Sequence, residues 1–335
     1  MTDGNRKQQN VSLWRRGGAP TAAGPQDFGC YGPDSIAWKL LSHSVVPAMT
    51  VQVTALLQFT HAGMSANMID HDPLFEAGRK GRARPDMFVN RHRRTFGVVV
   101  PAILGDQATA GRICTHLRHV HRNMQGVIPR TDTPYDAAGP ELVLFGHVTL
   151  MHAALMSYER AGYHGLRPPS RLTDAERDRF WAEVVPFAVM MGANEADVPR
   201  SAAEVEAFYE SCEADYYNFD LMLRESLRSV GDALRPSRWR HPVAALTVTS
   251  LTLSHFLALG IIPPPARRHA GIPAGLDPVI DVLFHASRPA YAVLGIPAVG
   301  DALVSWMVGP DSTDLIANAR RLMEVGAQDT ERCAA

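Results

Sequence analysis

Apolar positions along the chain recur every three to four residues, and no stretch of useful length alternates with period two. That periodicity predicts an all-α fold with few strands. The most informative segment runs from Arg91 to Gly126, where two helical patterns meet at a Gly105-Asp106 turn. On the first, Arg91, Arg94 and Thr95 are spaced to share one helix face. The second starts after Asp106 as N-cap and is expected to end at Gly126 as C-cap. Around its wheel, Ile113, Cys114, Leu117, Val120, His121 and Met124 form an apolar stripe, and Arg112, His116, His119 and Asn123 a polar one. His121 is thus the one ionisable group on the face predicted to be buried. A buried imidazole is either satisfied by a hydrogen bond or bound to a metal, and the first is commoner.

A second buried histidine is expected on the next helix, where Val143, Leu144, His147, Leu150, Met151 and Ala154 make one stripe. His147 is the chief rival to His121. Thr173 and Glu176 spell a capping box that opens a helix over 173–191. Further helices are predicted near 202–215, on to about 230, over 243–261 with His255 on an apolar stripe, and over 275–307 and 312–325. The apolar runs around 45–69 and 242–262 are long enough to raise a membrane span. Both carry Thr, Ser and His, and the first adds Gln and Asn. In lipid each such group needs an internal partner. Buried core helices are therefore expected, with no membrane span.

Composition adds bounds. With 335 residues, 46% hydrophobic and 20% charged, the chain has the makeup of a globular protein with a large core. Residues 28–325 read as one domain between a flexible N-terminal arm, 1–27, and a C-terminal tail, 326–335. A formal net charge of -1 gives no reason to expect nucleic acid. Arg79, Lys80, Arg82 and Arg84 read as a solvated loop, whereas Arg91 and Arg94 suit a site that faces carboxylates. Four cysteines have no paired spacing, and the N-terminus has no apolar signal core, so a cytoplasmic protein with reduced thiols is expected. Walker, GxGxxG, GxSxG, HExxH and CxxCH patterns are missing.

The order R-x-x-R-T, Gly-Asp turn, H-R-N-M-Q-G resembles the catalytic domain shared by rubber oxygenases (latex clearing protein) and MpaB-type oxygenases. ALLQFTHAGMSANMIDHDPLF and LTDAERDRFWAEVVPFAVMMG are similar to two further stretches of that family, and the likeness runs from about residue 30 to about 320. The resemblance implies an all-α single helical domain with a globin-like core. It implies a b-type haem, iron protoporphyrin IX, with His121 as the single axial ligand. Arg91 would hold a propionate or brace the helix pair. Arg94 and Thr95 would lie on the open face, where dioxygen or peroxide binds. Rubber oxygenases carry a lysine where this chain has Arg94, and arginine is not readily deprotonated, so a displaceable-ligand role does not carry over. His147 would tune oxygen chemistry or substrate fit. The implied function is a haem-dependent oxygenase acting on a hydrophobic small molecule, an isoprenoid or a specialised metabolite. A non-catalytic helical haem or small-molecule binding protein is the alternative. A non-haem metal site built from His121, His147 and His61 or His255 is a third reading that lacks a carboxylate partner. Oligomeric state stays open.

Overall fold

The computed structural model describes residues 27–129, 131–213, 219–235, 250 and 253–334. Among these, every element other than two single-turn 3-10 helices and one two-stranded ribbon is an α-helix, as the periodicity predicts. The expected N-terminal arm lies outside the described residues but for Asp27, and so do residues 242–249, 251 and 252 of the apolar run 242–262, of which 253–258 are helical.

The first apolar run is divided rather than continuous. It makes α2 (Val46–Gln58) and most of α3 (Ala62–His71), with α1 (Ile36–Leu41) before it. Local caps set the breaks. Ser35 Oγ accepts from Trp38 N, and His61 Nδ1 accepts from Gly63 N at 3.1 Å. No single helix among the described residues is long and apolar enough to cross a membrane. α2 and α7 (Pro140–Ala161) are apolar nearly all round, and they pack along each other through the centre of the molecule.

α4 (Pro73–Arg79) follows α3, and then comes the hairpin of α5 (Pro85–Leu104) and α6 (Gln107–His121). Asp106 caps α6 as predicted, its carboxylate accepting from Thr109 N at 2.7 Å. The predicted C-terminus is corrected. α6 ends at His121, and the chain then turns into β1 (Gln125–Ile128), antiparallel to β2 (Thr133–Asp136). Gly126 is therefore a strand residue opposite Tyr135, where a Cβ would lie 2.6 Å from the phenol oxygen. Backbone pairing across the ribbon overrides the helical pattern, and Met124 leaves the helix stripe altogether.

α8 (Asp174–Glu183) opens with the predicted capping box, and α9 (Val185–Met191) continues it to Gly192, which is left-handed at φ 109°. α10 (Ala202–Ser211), α11 (Phe219–Ala233), α12 (Pro264–His269), α13 (Asp277–Leu294), α14 (Pro297–Met307) and α15 (Pro310–Ala334) complete the chain. The main core cluster joins α1, α5, α6, α7, α8, α9, α14 and α15. A second one joins α2, the end of α7, residues 258–262 and α13.

Candidate active site

The predicted site residues sit on the α5–α6 hairpin and on α7, the helices that border α9. Arg91 lies thirteen residues before the end of α5, and His121 fourteen after the start of α6. At the rise of an α-helix both stand about 20 Å from the turn. The two residues are thus similarly far from the turn, each along its own helix.

Around Arg91 the cluster is polar and closed. Arg91 Nε meets Asp72 Oδ2 at 2.7 Å, and Arg94 Nη2 approaches the same oxygen at 3.7 Å. Arg91 also donates to the Thr95 hydroxyl and, at 3.2 Å, to Met68 Sδ. Burial pulls the Arg91 guanidinium below the usual arginine range, while Asp72 pulls the other way and Arg94 adds to the lowering. Two guanidiniums thus share one carboxylate and leave a net positive charge. Arg94 is the more exposed and more distant partner, its side chain 42% exposed. Asp72 itself is buried. It also caps α4 by accepting from Leu74 N at 2.8 Å. Sequence reasoning missed it, although Asp72-Pro73 is the signature of an N-cap followed by a first-turn proline.

On the imidazole side the polar atoms are not closed. His121 is half-buried, and its Nδ1 is buried with no hydrogen-bond partner. Burial lowers its pKa, so it is neutral at pH 7. Cys114, Arg118 and His121 recur on one face of α6. Arg118, His121 and Arg122 line a cavity of about 200 Å³ with Ala138, Met191 and Gly192. His147 is 4% exposed, as its stripe predicts, and neither of its ring nitrogens has a partner. Burial drives its pKa down to about 3. Its ring stacks on Phe187 with centroids 5.8 Å apart. Phe187 and Met191 are one turn apart on α9, so the two histidines border neighbouring turns of that short helix. Gln58 Nε2 donates to Gly146 O at 3.1 Å and holds α7 in register beside His147.

His92 shows what a satisfied buried histidine looks like here. It meets Gln52 Nε2 at 3.0 Å through one ring nitrogen and Phe88 O at 2.7 Å through the other. Its place inside an arginine-rich run hid its burial from the sequence. His116, predicted to face solvent, is half-buried, because neighbouring elements cover part of α6's polar face; His119 is exposed. The described contacts keep Arg91, Arg94 and Thr95 in one cluster and His121 in another, and no contact joins the two. His61 is the N-cap of α3, and the His255 ring lies 6.3 Å from that of His92. Among the described residues no group of three or more His, Cys, Asp or Glu gathers that could hold a metal by itself.

The donor types are ones a haem could use: a neutral imidazole with an unpartnered nitrogen on α6, and two cations sharing one carboxylate on α5. The packing is tighter than a porphyrin needs. The cavity beside His121, about 200 Å³, falls below the roughly 300–1,000 Å³ of ligand pockets.

No curated protein and no solved structure matches the chain. One family model does, across α1 to α13, the span that holds the hairpin, both histidines and α9. The chain belongs to the family described as ER-bound oxygenase mpaB/B'/Rubber oxygenase, catalytic domain, whose model matches residues 38–290.

Proposed function

We propose that this member of an oxygenase family works with a non-covalently held b-type haem and acts on a hydrophobic small molecule. The observation that carries the reading is His121, a neutral imidazole whose buried Nδ1 has no partner, on the helix that follows the one bearing a cation pair. Neutral imidazole is the form that binds iron. When bound, haem supplies the activation of dioxygen or peroxide. The chain supplies the rest. His121 would hold the iron. Arg91 and Arg94, which share the single carboxylate of Asp72, would attract an anionic group such as a propionate. Arg94, exposed and weakly paired, and Thr95, held against Arg91, would orient a polar reactant on the open side. His147 and Phe187 form an apolar wall that excludes water and selects shape. An isoprenoid or similar apolar substrate matches such a wall.

The test is spectroscopic. Purified protein titrated with haemin should develop a Soret band and saturate at one haem per chain. A protein that stays colourless and takes up no haemin sinks the proposal. The small volume beside His121 favours a second reading, a non-catalytic binder of a smaller apolar ligand. In that case a bound apolar ligand would be found in the absence of haem and of any oxygen consumption.

A further inference from the structure

α10 packs Tyr209 against α7, where its hydroxyl oxygen lies 3.1 Å from His152 Nδ1. Among the described residues this is the one phenol within hydrogen-bonding distance of an imidazole. The two rings are tilted at 41° with centroids 5.6 Å apart. The same imidazole meets the indole of Trp181, on α8, edge to face with centroids 6.0 Å apart. Trp181 is 1% exposed, whereas Tyr209 is half-buried. The three rings thus lead from the core to the edge of the molecule.

α7 ties this cluster to the candidate site. His152 follows His147 by five residues on that helix, about 7.5 Å along its axis. Burial lowers the His152 pKa to about 4, and the Arg177 guanidinium adds to the lowering. The ring is therefore neutral at pH 7, and one of its nitrogens is an acceptor. Arg177 is itself held by Glu159, its Nε donating to Oε1 at 2.8 Å. A phenol that loses an electron becomes a far stronger acid than any imidazolium, so a base already in contact takes its proton. Tyr135 also touches a base, the Asp70 carboxylate at 2.7 Å, but among the described residues its ring neighbour is His71 and no indole. Packing alone accounts for each ring. The combination of an oxidisable indole, a phenol and a neutral base, so near the site of an oxygenase, is what suits electron transfer.

We propose that Trp181, His152 and Tyr209 form a redox outlet for the candidate site. A strong one-electron oxidant produced there without substrate takes an electron from Trp181, and Trp181 takes one from Tyr209 across the shared imidazole. As that electron leaves, the hydroxyl proton moves from Tyr209 Oη to His152 Nδ1, which gives a neutral phenoxyl and an imidazolium. A one-electron reductant in solution, such as ascorbate, reaches the half-buried phenol and returns the electron, and the proton goes back from Nδ1 to Oη. The cluster ends unchanged, and the oxidant has been reduced by one electron. The outlet rests on the oxygenase reading for its oxidant. The chemistry of the Tyr209–His152 pair does not depend on haem.

The test therefore starts with the full chain free of haem. A ruthenium tris-bipyridine complex, photo-oxidised by persulfate, serves as the one-electron oxidant, and freeze-trapped samples are read by electron paramagnetic resonance. A tyrosyl signal is expected, most of which Tyr209→Phe removes and Tyr135→Phe leaves in place. His152→Gln keeps a hydrogen-bond partner for the phenol but no base, so the radical should form about tenfold more slowly or worse, with the melting temperature unchanged. Oxidation of Trp181, mapped by mass spectrometry, should rise severalfold in Tyr209→Phe. An unchanged signal in Tyr209→Phe overturns the proposal, and so does a parental rate in His152→Gln. In haem-loaded protein, peroxide without substrate should raise the same Tyr209-dependent signal, and its absence there overturns the outlet. A chain that gives the signal with ruthenium yet takes up no haemin supports the Tyr209–His152 pair and sinks the haem proposal alone.

Discussion

The two halves of the candidate site differ in how they are completed. Around Arg91 every described charge has a partner: Asp72 meets both arginines, and Thr95 and Met68 take the remaining donors. Around His121 and His147 three buried ring nitrogens have none. Buried polar atoms without partners are costly, and native folds keep few of them. The arginine half is thus stable as it stands, while the imidazole half holds unused bonding capacity. The same fold shows that this is not a general property of its buried histidines, since His92 is bonded through both nitrogens. Ligand dependence should therefore reside with the histidines, and structural dependence with Asp72.

The sharpest way to break that contrast is to exchange the histidines. On the haem proposal His121→Ala should abolish the Soret band, while His147→Leu should keep it. A red His121→Ala and a bleached His147→Leu would reverse the assignment and place the iron against α7.

Acid should cost the buried histidines as a group next. Burial holds His43, in the turn after α1, and His152, on α7, at about 4 and His92 and His147 at about 3, below the usual histidine value. Between those values and about pH 6.5 the unfolded chain binds more protons than the folded one, so stability is full above that window and falls as pH drops through it. The slope is about 1.4 kcal/mol per pH unit per histidine at most. Denaturation midpoints should decline steeply from about pH 7 to about pH 5, and His147→Leu should flatten the decline by removing its own contribution. A midpoint constant over that range would mean that these imidazoles are solvated.

Asp72→Ala removes the shared carboxylate and the cap of α4 together. A loss of about 3 kcal/mol is expected, because Arg91 is left largely buried and unpaired. Arg91→Met in the same background should recover part of it, and no recovery would place the cost in the cap alone. His147→Leu in haem-free protein should instead gain about 1 kcal/mol, since a side chain of similar size removes two unpartnered nitrogens. Urea titration of each variant reads both effects. Smallest of all, Arg94→Ala should shift stability by no more than about 0.5 kcal/mol, as its ion pair is long and exposed. Its effect should appear in oxygen consumption with haem intact. A large stability loss would make Arg94 a structural residue.

Much of this was legible in the chain. Asp106 and Thr173–Glu176 mark real helix starts, the 3.6-residue period gives the all-α class, and the stripe of α7 foretells the burial of His147. What the local pattern could not show is what each face meets. The arginine run around His92 reads as solvent, yet α2 brings Gln52 onto it. Gly126 reads as a helix stop until Tyr135 arrives from the other strand.

Periodicity and capping are short-range quantities, set by neighbours within a turn or two, and so the sequence by itself determined most of the helices, the shared face of Arg91, Arg94 and Thr95, and the burial of His147, whereas His121 is only half-buried, between Arg118 and Arg122. Only the tertiary structure decided that Asp72 would neutralise Arg91, that His92 would be satisfied while His147 would not, and that α13 would be buried along Ile280, Phe284 and Tyr291 while Val279 and Val282 stay exposed. Each of these depends on which distant segment packs against a face. A hydrophobic stripe records that a face avoids water, and carries no record of what takes the water's place.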